Sequence, residues 1–292
     1  ICPLCLRKEN VVKARFTDRT YRRCARCGMI YMNRSASADI RYTEIYFFEN
    51  YKKQYGKTYL EDFPNLTAMA ERRLKIIKSL LGEGGHSLLD IGCAYGAFAA
   101  AAREKGFDCI GIDGSAAAAA YVRDELGISA FDGFFPEEDL IKKVRESVRR
   151  EFDAVTLWYV IEHFEIDAGA YESGSMLKTA LEQIHALLRA GGVLAFSTPN
   201  SSGVSGRFSL KKFLEKSPPD HWTIWDCRHA GKILSRFGFT VQKIVVTGHH
   251  PERFPFCSGL KPGSFAYKAL LALSKLLRLG DTFEVYAKKS ER

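Results

Sequence analysis

The sequence predicts an α/β fold, with a doubly wound, mostly parallel seven-stranded sheet that follows a small cysteine-rich module. From residue 87 onward, short apolar segments alternate with amphipathic ones, which is the order of strands and helices in parallel sheets. Glycines follow the first of these strands, at the edge where such sheets bind ligands. Two C-x-x-C pairs lie within the first 27 residues and indicate a metal-binding module.

The composition is that of a folded globular chain. Its 292 residues are 46% hydrophobic, which is enough to build a large core, and both signs of charge are well represented. No stretch approaches the roughly 18 uninterrupted apolar residues of a membrane span, and no secretory signal is visible. Eight cysteines without such a signal indicate a reducing compartment, so we expect the cytoplasm.

Three parts are expected along the chain: a zinc ribbon over residues 1–34, an aromatic helical arm over 35–81, and a core over 82–292. The first part carries nine basic and two acidic side chains, which is +7 of the formal net charge of +9. A concentrated basic segment suits an anionic partner. The arm is rich in tyrosine and phenylalanine at helical spacing, and it forms either a lid, core packing or a stacking platform for bases.

The ribbon is predicted from the spacing of four cysteines, Cys2, Cys5, Cys24 and Cys27. Two C-x-x-C pairs at this separation form tetrahedral structural zinc sites, and free thiols or a redox pair are the alternatives. A closed four-cysteine site leaves no open coordination position, so it predicts no catalysis. The remaining cysteines are interpreted as small core or pocket-lining residues: Cys93, Cys109, Cys227 and Cys257.

The elements of the core follow from apolar runs bounded by glycine, proline and polar residues. A helix is predicted over 66–81 before them. The predicted strands are 87–91, 108–112, 128–132, 153–158, 193–197, 240–247 and 282–287. The predicted helices are 97–105, 115–126, 137–149, 176–189, 226–237 and 265–279. Prolines and glycines interrupt the alternation at about 198–225, which predicts an insertion near the ligand-binding edge of the sheet.

The first predicted strand of the core leads into a loop of small residues. Asp90 ends that strand, and Gly92, Ala94 and Gly96 let the backbone pass close to a ligand. Asp113 ends the next strand, where a carboxylate accepts hydrogen bonds from both hydroxyls of a ribose. The alternative is that these glycines only make a tight turn.

A dinucleotide site shares the ribose aspartate, but it requires the pattern G-x-G-x-x-G. Here Ala94 and Ala97 occupy the second and third glycine positions, and Asp90 would repel a pyrophosphate. A carboxylate instead suits the ammonium group of S-adenosylmethionine. The loop therefore favours that ligand over a dinucleotide.

Two segments, Asp90-Ile91-Gly92-Cys93-Ala94-Tyr95-Gly96 and Gly111-Ile112-Asp113-Gly114-Ser115, resemble the class I S-adenosylmethionine-dependent methyltransferases. Two later segments are similar to one branch of that superfamily: Val160-Ile161-Glu162-His163-Phe164 and Ser197-Thr198-Pro199-Asn200. The resemblance covers about residues 74–247 and departs at Ala94, where glycine is commoner. It implies a Rossmann-like methyltransferase fold with S-adenosylmethionine as cofactor.

The resemblance also implies roles for individual residues. Asp90 and the loop would bind the methionine half of the cofactor, Asp113 the ribose, and the segment around Asp132 the adenine. The implied cofactor-binding residues are Asp90, Gly92, Cys93, Ala94, Gly96, Asp113, Gly114, Asp132, Gly133, Trp158 and Tyr159.

Methyl transfer needs alignment of the reacting atoms and, for some acceptors, removal of a proton. His163 follows the fourth predicted strand and has a suitable intrinsic pKa for a general base; alternatively, it shapes the pocket floor with Glu162. His221 lies in the insertion and either contacts substrate or anchors its own loop. Asn200 is the second candidate for substrate binding.

The sequence thus predicts a methyltransferase that acts on a small-molecule or glycan-type acceptor, as the resembling branch implies. An RNA methyltransferase that uses the basic ribbon is the alternative, because clustered cations attract phosphates. A second alternative is a non-catalytic binding or scaffold protein that retains the cofactor fold.

Overall fold

The computed structural model describes residues 1–34, 46–83, 86–148, 150–165, 175–257 and 259–290. The first eleven residues of the predicted arm, 35–45, lie outside the described residues. The chain forms two compact units. The first unit comprises Ile1–Ala38, Tyr159–Leu181 and Phe196–Val285, and the second comprises Asp39–Trp158, Glu182–Ala195 and Tyr286–Arg292. The three-part division expected from the sequence stays a prediction.

Eleven strands form two sheets in the described chain. They are β1 (Asn10–Arg15), β2 (Arg19–Cys24), β3 (Ile30–Arg34), β4 (His86–Ile91), β5 (Phe107–Asp113), β6 (Ala130–Asp132), β7 (Phe152–Trp158), β8 (Leu188–Pro199), β9 (Thr223–Ile224), β10 (Phe239–Thr247) and β11 (Thr282–Lys289). The larger sheet has seven strands in the order β10-β11-β8-β7-β4-β5-β6, and the smaller has the order β1-β2-β3-β9.

The seven-stranded sheet confirms the predicted fold class. Strand β4 pairs in parallel with both β5 and β7, and β5 pairs in parallel with β6. All six residues of β4 are buried, as expected for a strand covered by helices on both faces. The order reverses beside β4, so the loops that follow β4 and β5 lie where ligands of such sheets bind.

The helices of the described chain are α1 (Tyr51–Tyr55), α2 (Phe63–Leu81), α3 (Ala97–Glu104), α4 (Ala116–Asp124), α5 (Glu138–Val148), α6 (Met176–Leu187), α7 (Val204–Phe208), α8 (Leu210–Lys216), α9 (Ala230–Leu234) and α10 (Phe265–Leu276). Most match the predicted ranges within a few residues. Helix α3 is rich in alanine, and its small side chains allow close packing: six of its eight residues are buried.

Residues 198–225, which we expected to be an insertion, contain α7, α8 and β9. One prediction about local structure was wrong: the helix predicted from residue 226 starts only at Ala230. The carboxylate of Asp226 accepts a hydrogen bond from the backbone N–H of Arg228, 2.9 Å away, which stabilises a turn that competes with helix.

The smaller sheet belongs to the first unit. Strands β1, β2 and β3 form an antiparallel meander, and the short strand β9 from the insertion pairs with β3. No helix in the described parts of the chain combines the length and the apolar character needed to cross a membrane.

Candidate functional site

The loop between β4 and α3 has a backbone that only small residues tolerate well. Gly92, Ala94 and Gly96 all have positive φ, of 74°, 48° and 80°. The N–H of Gly92 donates to the carbonyl of Ile112 at 2.7 Å, which fastens the loop to the end of β5. Left-handed backbone disfavours a Cβ, which explains why glycine is commoner than alanine at position 94.

Asp90 is the penultimate residue of β4 and is 1% exposed. The hydroxyl of Thr156 donates to its Oδ1 at 2.6 Å. Burial raises the pKa of Asp90 to about 7, although that hydrogen bond and the positive charge of Arg73 both lower it. A buried carboxylate with a raised pKa gains free energy when a cationic group binds beside it.

Asp113 ends β5 and holds the same loop. Its Oδ2 accepts from the N–H of Ala94 and its Oδ1 from the N–H of Ser115, both at 2.8 Å. Burial raises the pKa of Asp113, and these two hydrogen bonds oppose that effect. Each carboxylate oxygen has a second lone pair, so both oxygens can still accept from a ribose.

Aromatic residues of the arm pack on this loop. Phe47 is 4% exposed, and its ring centroid lies 5.2 Å from Tyr95 and 5.7 Å from Tyr59. Burial, followed by the negative charges of Asp90 and other nearby groups, raises the pKa of Tyr59 well above its usual value. The described part of the arm therefore packs on the loop that follows Asp90, and Phe47 is too buried to stack on bases.

Trp158 ends β7, and the guanidinium carbon of Arg73 lies 4.1 Å from its ring centroid. Gly114 packs tightly, because a Cβ there would lie 2.6 Å from the ring of Phe134. At the end of β6, Asp132 pairs in register with Asp113. The side chain of Asp132 is 60% exposed, and the neighbouring Gly133 has a φ of 146°.

Arg73 and Thr156 were not found from the sequence. Both are ordinary residues of a helix and a strand, and only the packing of α2 and the pairing of β7 with β4 bring them to Asp90. No pattern in the residues around Asp90 or Thr156 indicates that the two lie opposite each other in the parallel pair of β4 and β7.

The first unit holds a second cluster of polar groups. Nδ1 of His163 lies 3.0 Å from Oδ2 of Asp220, and the rings of His163 and His221 meet edge to face at 4.7 Å. Glu162 is 1% exposed, and neither of its carboxylate oxygens makes a hydrogen bond of good geometry within the described residues. One ligand atom each from Glu162, His163 and His221 lie within 4.8 Å of one another.

The pKa values of the three titratable groups in this cluster are shifted in different directions. Burial raises the pKa of Glu162 to about 7, against the effect of the His163 charge and of the nearby Thr198 hydroxyl. Burial opposes a charge on His163, but the hydrogen bond of Asp220 and the charge of Glu162 outweigh it, so the pKa of His163 is raised. Burial and the charge of His163 lower the pKa of His221 to about 3.

The cluster allows two kinds of chemistry. A histidine oriented by a carboxylate is the arrangement of a general base, and His163 with Asp220 has it. Two histidines and a carboxylate are also a common ligand set for divalent metals. Asp220 was not among the predicted site residues, because its pairing with His163 joins distant parts of the sequence.

Two predicted site residues lie elsewhere in the first unit. Tyr159 is 42% exposed, and its backbone N–H donates to the carbonyl of Ser197 at 3.0 Å. Asn200 is fully buried. Its amide donates to the carbonyl of Gly280 at 2.8 Å, and its Oδ1 accepts from Ser202 and Cys227. These are the contacts of a loop anchor, and substrate binding by Asn200 stays a prediction.

The four cysteines of the N-terminal module converge. The Sγ atoms of Cys2 and Cys27 are 3.6 Å apart, those of Cys5 and Cys24 are 3.5 Å apart, and all four lie within 4.8 Å of one another. A tetrahedral zinc ion with Zn–S bonds of about 2.3 Å separates its sulfur ligands by about 3.8 Å. The donor set and its spacing therefore fit zinc.

The chain is similar to known methyltransferases. A family model described as a methyltransferase domain matches residues 60–244. Among solved structures, an S-adenosylmethionine-dependent methyltransferase from Archaeoglobus fulgidus is 18% identical, with a TM-score of 0.55, and the match covers 83% of this chain and 100% of that one.

Two further methyltransferase structures are similar at lower scores. One from Clostridium acetobutylicum is 11% identical, with a TM-score of 0.48 and coverage of 76% and 90% of the two chains. One from Mesorhizobium loti is 18% identical, with a TM-score of 0.45 and coverage of 76% and 99%. A search of curated proteins finds no match. At 18% identity, the Archaeoglobus fulgidus structure bears on the fold alone.

Proposed function

Since the chain belongs to the methyltransferase-domain family, we propose that it transfers the methyl group of S-adenosylmethionine to a small-molecule or glycan-type acceptor. The observation that carries the donor assignment is the pair of buried carboxylates, Asp90 and Asp113, at the ends of adjacent parallel strands. They flank a loop of small residues with positive φ angles, which would let a ligand approach the backbone closely.

Apart from Tyr159, the residues predicted to bind the cofactor belong to the second unit, and their chemistry fits it. Asp90 is a buried carboxylate whose raised pKa favours a cationic partner, and the ammonium group of the methionine half supplies one. Gly92, Cys93, Ala94 and Gly96 would surround that half, and Asp113 with Gly114 would hold the ribose. Asp132 and Gly133 would flank the adenine, and Trp158 and Tyr159 would line the remaining pocket. When bound, the cofactor supplies an electrophilic methyl group on a sulfonium.

The chain's own contribution to catalysis is binding, alignment and a proton acceptor. His163, oriented by Asp220, would remove a proton from the acceptor, and its raised pKa makes it a stronger base. His221 stays neutral at pH 7 because its pKa is lowered, so it can accept or donate a hydrogen bond to substrate. Asn200 is the second residue of the first unit that we propose for substrate contact.

The ribbon would hold one structural zinc ion through Cys2, Cys5, Cys24 and Cys27. Its closed set of four sulfur ligands leaves no position for substrate, so the metal would stabilise and not catalyse. Cys2, Cys24 and Cys27 are buried, which protects the site from exchange.

Three of the nine basic side chains of the ribbon are engaged in contacts within the protein. Arg19 donates to the carbonyl of Glu215 at 2.9 Å, Arg22 to Asn10 at 3.0 Å, and Arg23 contacts His229 at 3.2 Å. Side chains that are engaged within the protein contribute less to binding phosphates. The basic character of the ribbon is thus partly explained by its internal contacts.

A transfer assay tests the proposal. The full chain is incubated with methyl-labelled S-adenosylmethionine and either a small-molecule extract or total RNA, and the label in each fraction is counted. We expect label in the small-molecule fraction, and its loss in Asp90→Ala. Label in RNA that disappears with rising salt would instead establish the RNA alternative.

A further inference from the structure

One strand of the ribbon pairs with the segment that carries Asp220 and His221. We call this segment, residues 217–224, the acceptor loop. Strand β3 pairs with β9, with Ile30 opposite Ile224 and Tyr31 opposite Thr223. The N–H of Met32 also donates to the carbonyl of Trp222 at 2.9 Å. Among the described residues, β3 of the ribbon is therefore the strand that pairs with the acceptor loop, immediately after His221.

The ribbon also holds the other end of the acceptor loop. The guanidinium of Arg19 donates to the carbonyl of Glu215 at 2.9 Å and to that of Ser217 at 3.5 Å. These carbonyls lie at the end of α8, just before the two prolines that precede Asp220. Asp220 and His221 are thus bracketed by two attachments to the ribbon.

The cysteine turns reach the same region. Gly28, directly after Cys27, has a φ of 82°, and a Cβ there would lie 2.6 Å from the ring of His229. His229 in turn lies 3.3 Å from Asp226. On the first cysteine turn, the carbonyl of Pro3 accepts from the hydroxyl of Ser175 at 2.9 Å. Both turns that carry the thiols therefore contact later segments of the first unit, to which His163 and Asp220 also belong.

The register of β3 depends on the cysteine turn before it. The N–H of Cys24 donates to the carbonyl of Met29 at 2.9 Å, and β3 begins at the next residue. A module of about 30 residues has too small a core to hold such turns without a metal or disulfides. Loss of the metal is expected to release β3 and, with it, β9.

We propose that the metal-loaded ribbon positions the acceptor loop, so that loss of the metal loosens Asp220 and His221 but leaves the methyl-donor half folded. This inference rests on the proposed function for the identity of the two halves. Under it, Arg19, Gly28 and the four cysteines are positioning residues, since none needs to touch a substrate.

Hydrogen exchange of the full chain tests the proposal without an acceptor. Zinc-loaded protein is compared with protein treated with a chelator under reducing conditions, and with Cys24→Ser; Cys257→Ser is the matched control outside the ribbon. We expect the amides of Met32, His221 and Trp222 to exchange at least about tenfold faster without metal. Amides of β4 and the glycine loop should keep their rates.

Two outcomes of that experiment overturn the proposal. If the loop amides keep their rates after the metal has gone, the ribbon does not hold the loop. If β4 exchanges faster to the same degree, the metal stabilises the whole chain and not the loop. Zinc content, measured by emission spectrometry, identifies the metal-free samples.

A second pair of variants avoids disturbing the metal. Arg19→Ala removes the two contacts to the end of α8 and the residue after it. Arg15→Ala removes the same positive charge, but from an exposed arginine of the same ribbon. We expect faster exchange of residues 217–222 in Arg19→Ala alone; equal rates in the two variants contradict the proposal. Wild-type protein that fails to bind S-adenosylmethionine would refute the proposed function, and these exchange rates would still test the ribbon.

Discussion

Replacing Asp90 with asparagine keeps the shape of the side chain and the acceptor for Thr156, but it removes the charge that we assign to the ammonium group of S-adenosylmethionine. Two unit charges about 3 Å apart at an effective dielectric constant near 20 attract by about 5 kcal/mol before desolvation. Truncating one partner of such a buried pair costs about 2–4 kcal/mol. The dissociation constant should therefore rise roughly 30- to 700-fold in Asp90→Asn.

The pKa of Asp90 adds a second signature. Because that pKa is raised to about 7 in the free protein, the carboxylate is protonated at lower pH and must lose its proton when a cation binds. Binding to the wild type should weaken by up to about tenfold for each pH unit below 7, and Asp90→Asn should lack this dependence.

Isothermal titration calorimetry at pH 5.5, 6.5 and 7.5 measures both effects. Asp108→Asn is the matched control, since Asp108 is an exposed aspartate on the neighbouring strand β5. If Asp90→Asn binds as tightly as Asp108→Asn, or if both keep the pH dependence of the wild type, the assignment of Asp90 is refuted.

Four further predictions follow from the same contacts. Because the pKa of Asp90 is raised on folding, the free energy of unfolding of the ligand-free protein falls as pH rises from about 4 to 7. In urea unfolding, Asp90→Asn should therefore have a free energy of unfolding about 2–4 kcal/mol above that of the wild type at pH 8, and the same value as the wild type at pH 3.5. Gly96→Ala, whose Cβ would lie 2.7 Å from Leu126, should lower the free energy of unfolding about 1–3 kcal/mol more than Gly56→Ala, which has a similar φ and no neighbour within 4 Å; equal losses would contradict the packing argument. Asp220→Asn should lower the pKa of His163 in an NMR titration, whereas Asp226→Asn should not, and an unchanged pKa in both would show that Asp220 does not orient the base. Emission spectrometry of the purified protein should find one zinc ion per chain. The Cys5→Ser variant should lose this zinc and the Cys109→Ser variant should keep it; zinc retained by Cys5→Ser would exclude the four-cysteine site.

Much of the sheet could be predicted because its signals are local. Strands β4 and β7 are buried on both faces, so each appears in the sequence as a nearly continuous apolar run. Such a run can be identified as a strand without knowing which strands lie beside it. The cysteine spacing likewise predicted that four thiols converge, and the structure brings their sulfur atoms together. Asp90 and Asp113 were found because each lies at or next to the end of a predicted strand, within two residues of a glycine.

The remainder depends on contacts between distant segments. Strand β9 is two residues long and exists only because β3 pairs with it, so no periodicity marks it. Asp220 joins His163 through the fold of the insertion, and Arg73 reaches Trp158 from α2. The start of α9 was misjudged because the side chain of Asp226 caps a turn, which apolar spacing does not reveal.

The central claim is that this chain binds S-adenosylmethionine through the carboxylates at the ends of β4 and β5. Calorimetric titration of the wild-type chain at pH 7.5, with Asp113→Ala beside it, tests that claim most directly. We predict saturable binding of one molecule per chain with a dissociation constant of about 1–100 μM, weakened at least about tenfold in Asp113→Ala. Absence of saturable binding, or equal binding by both proteins, would contradict the account.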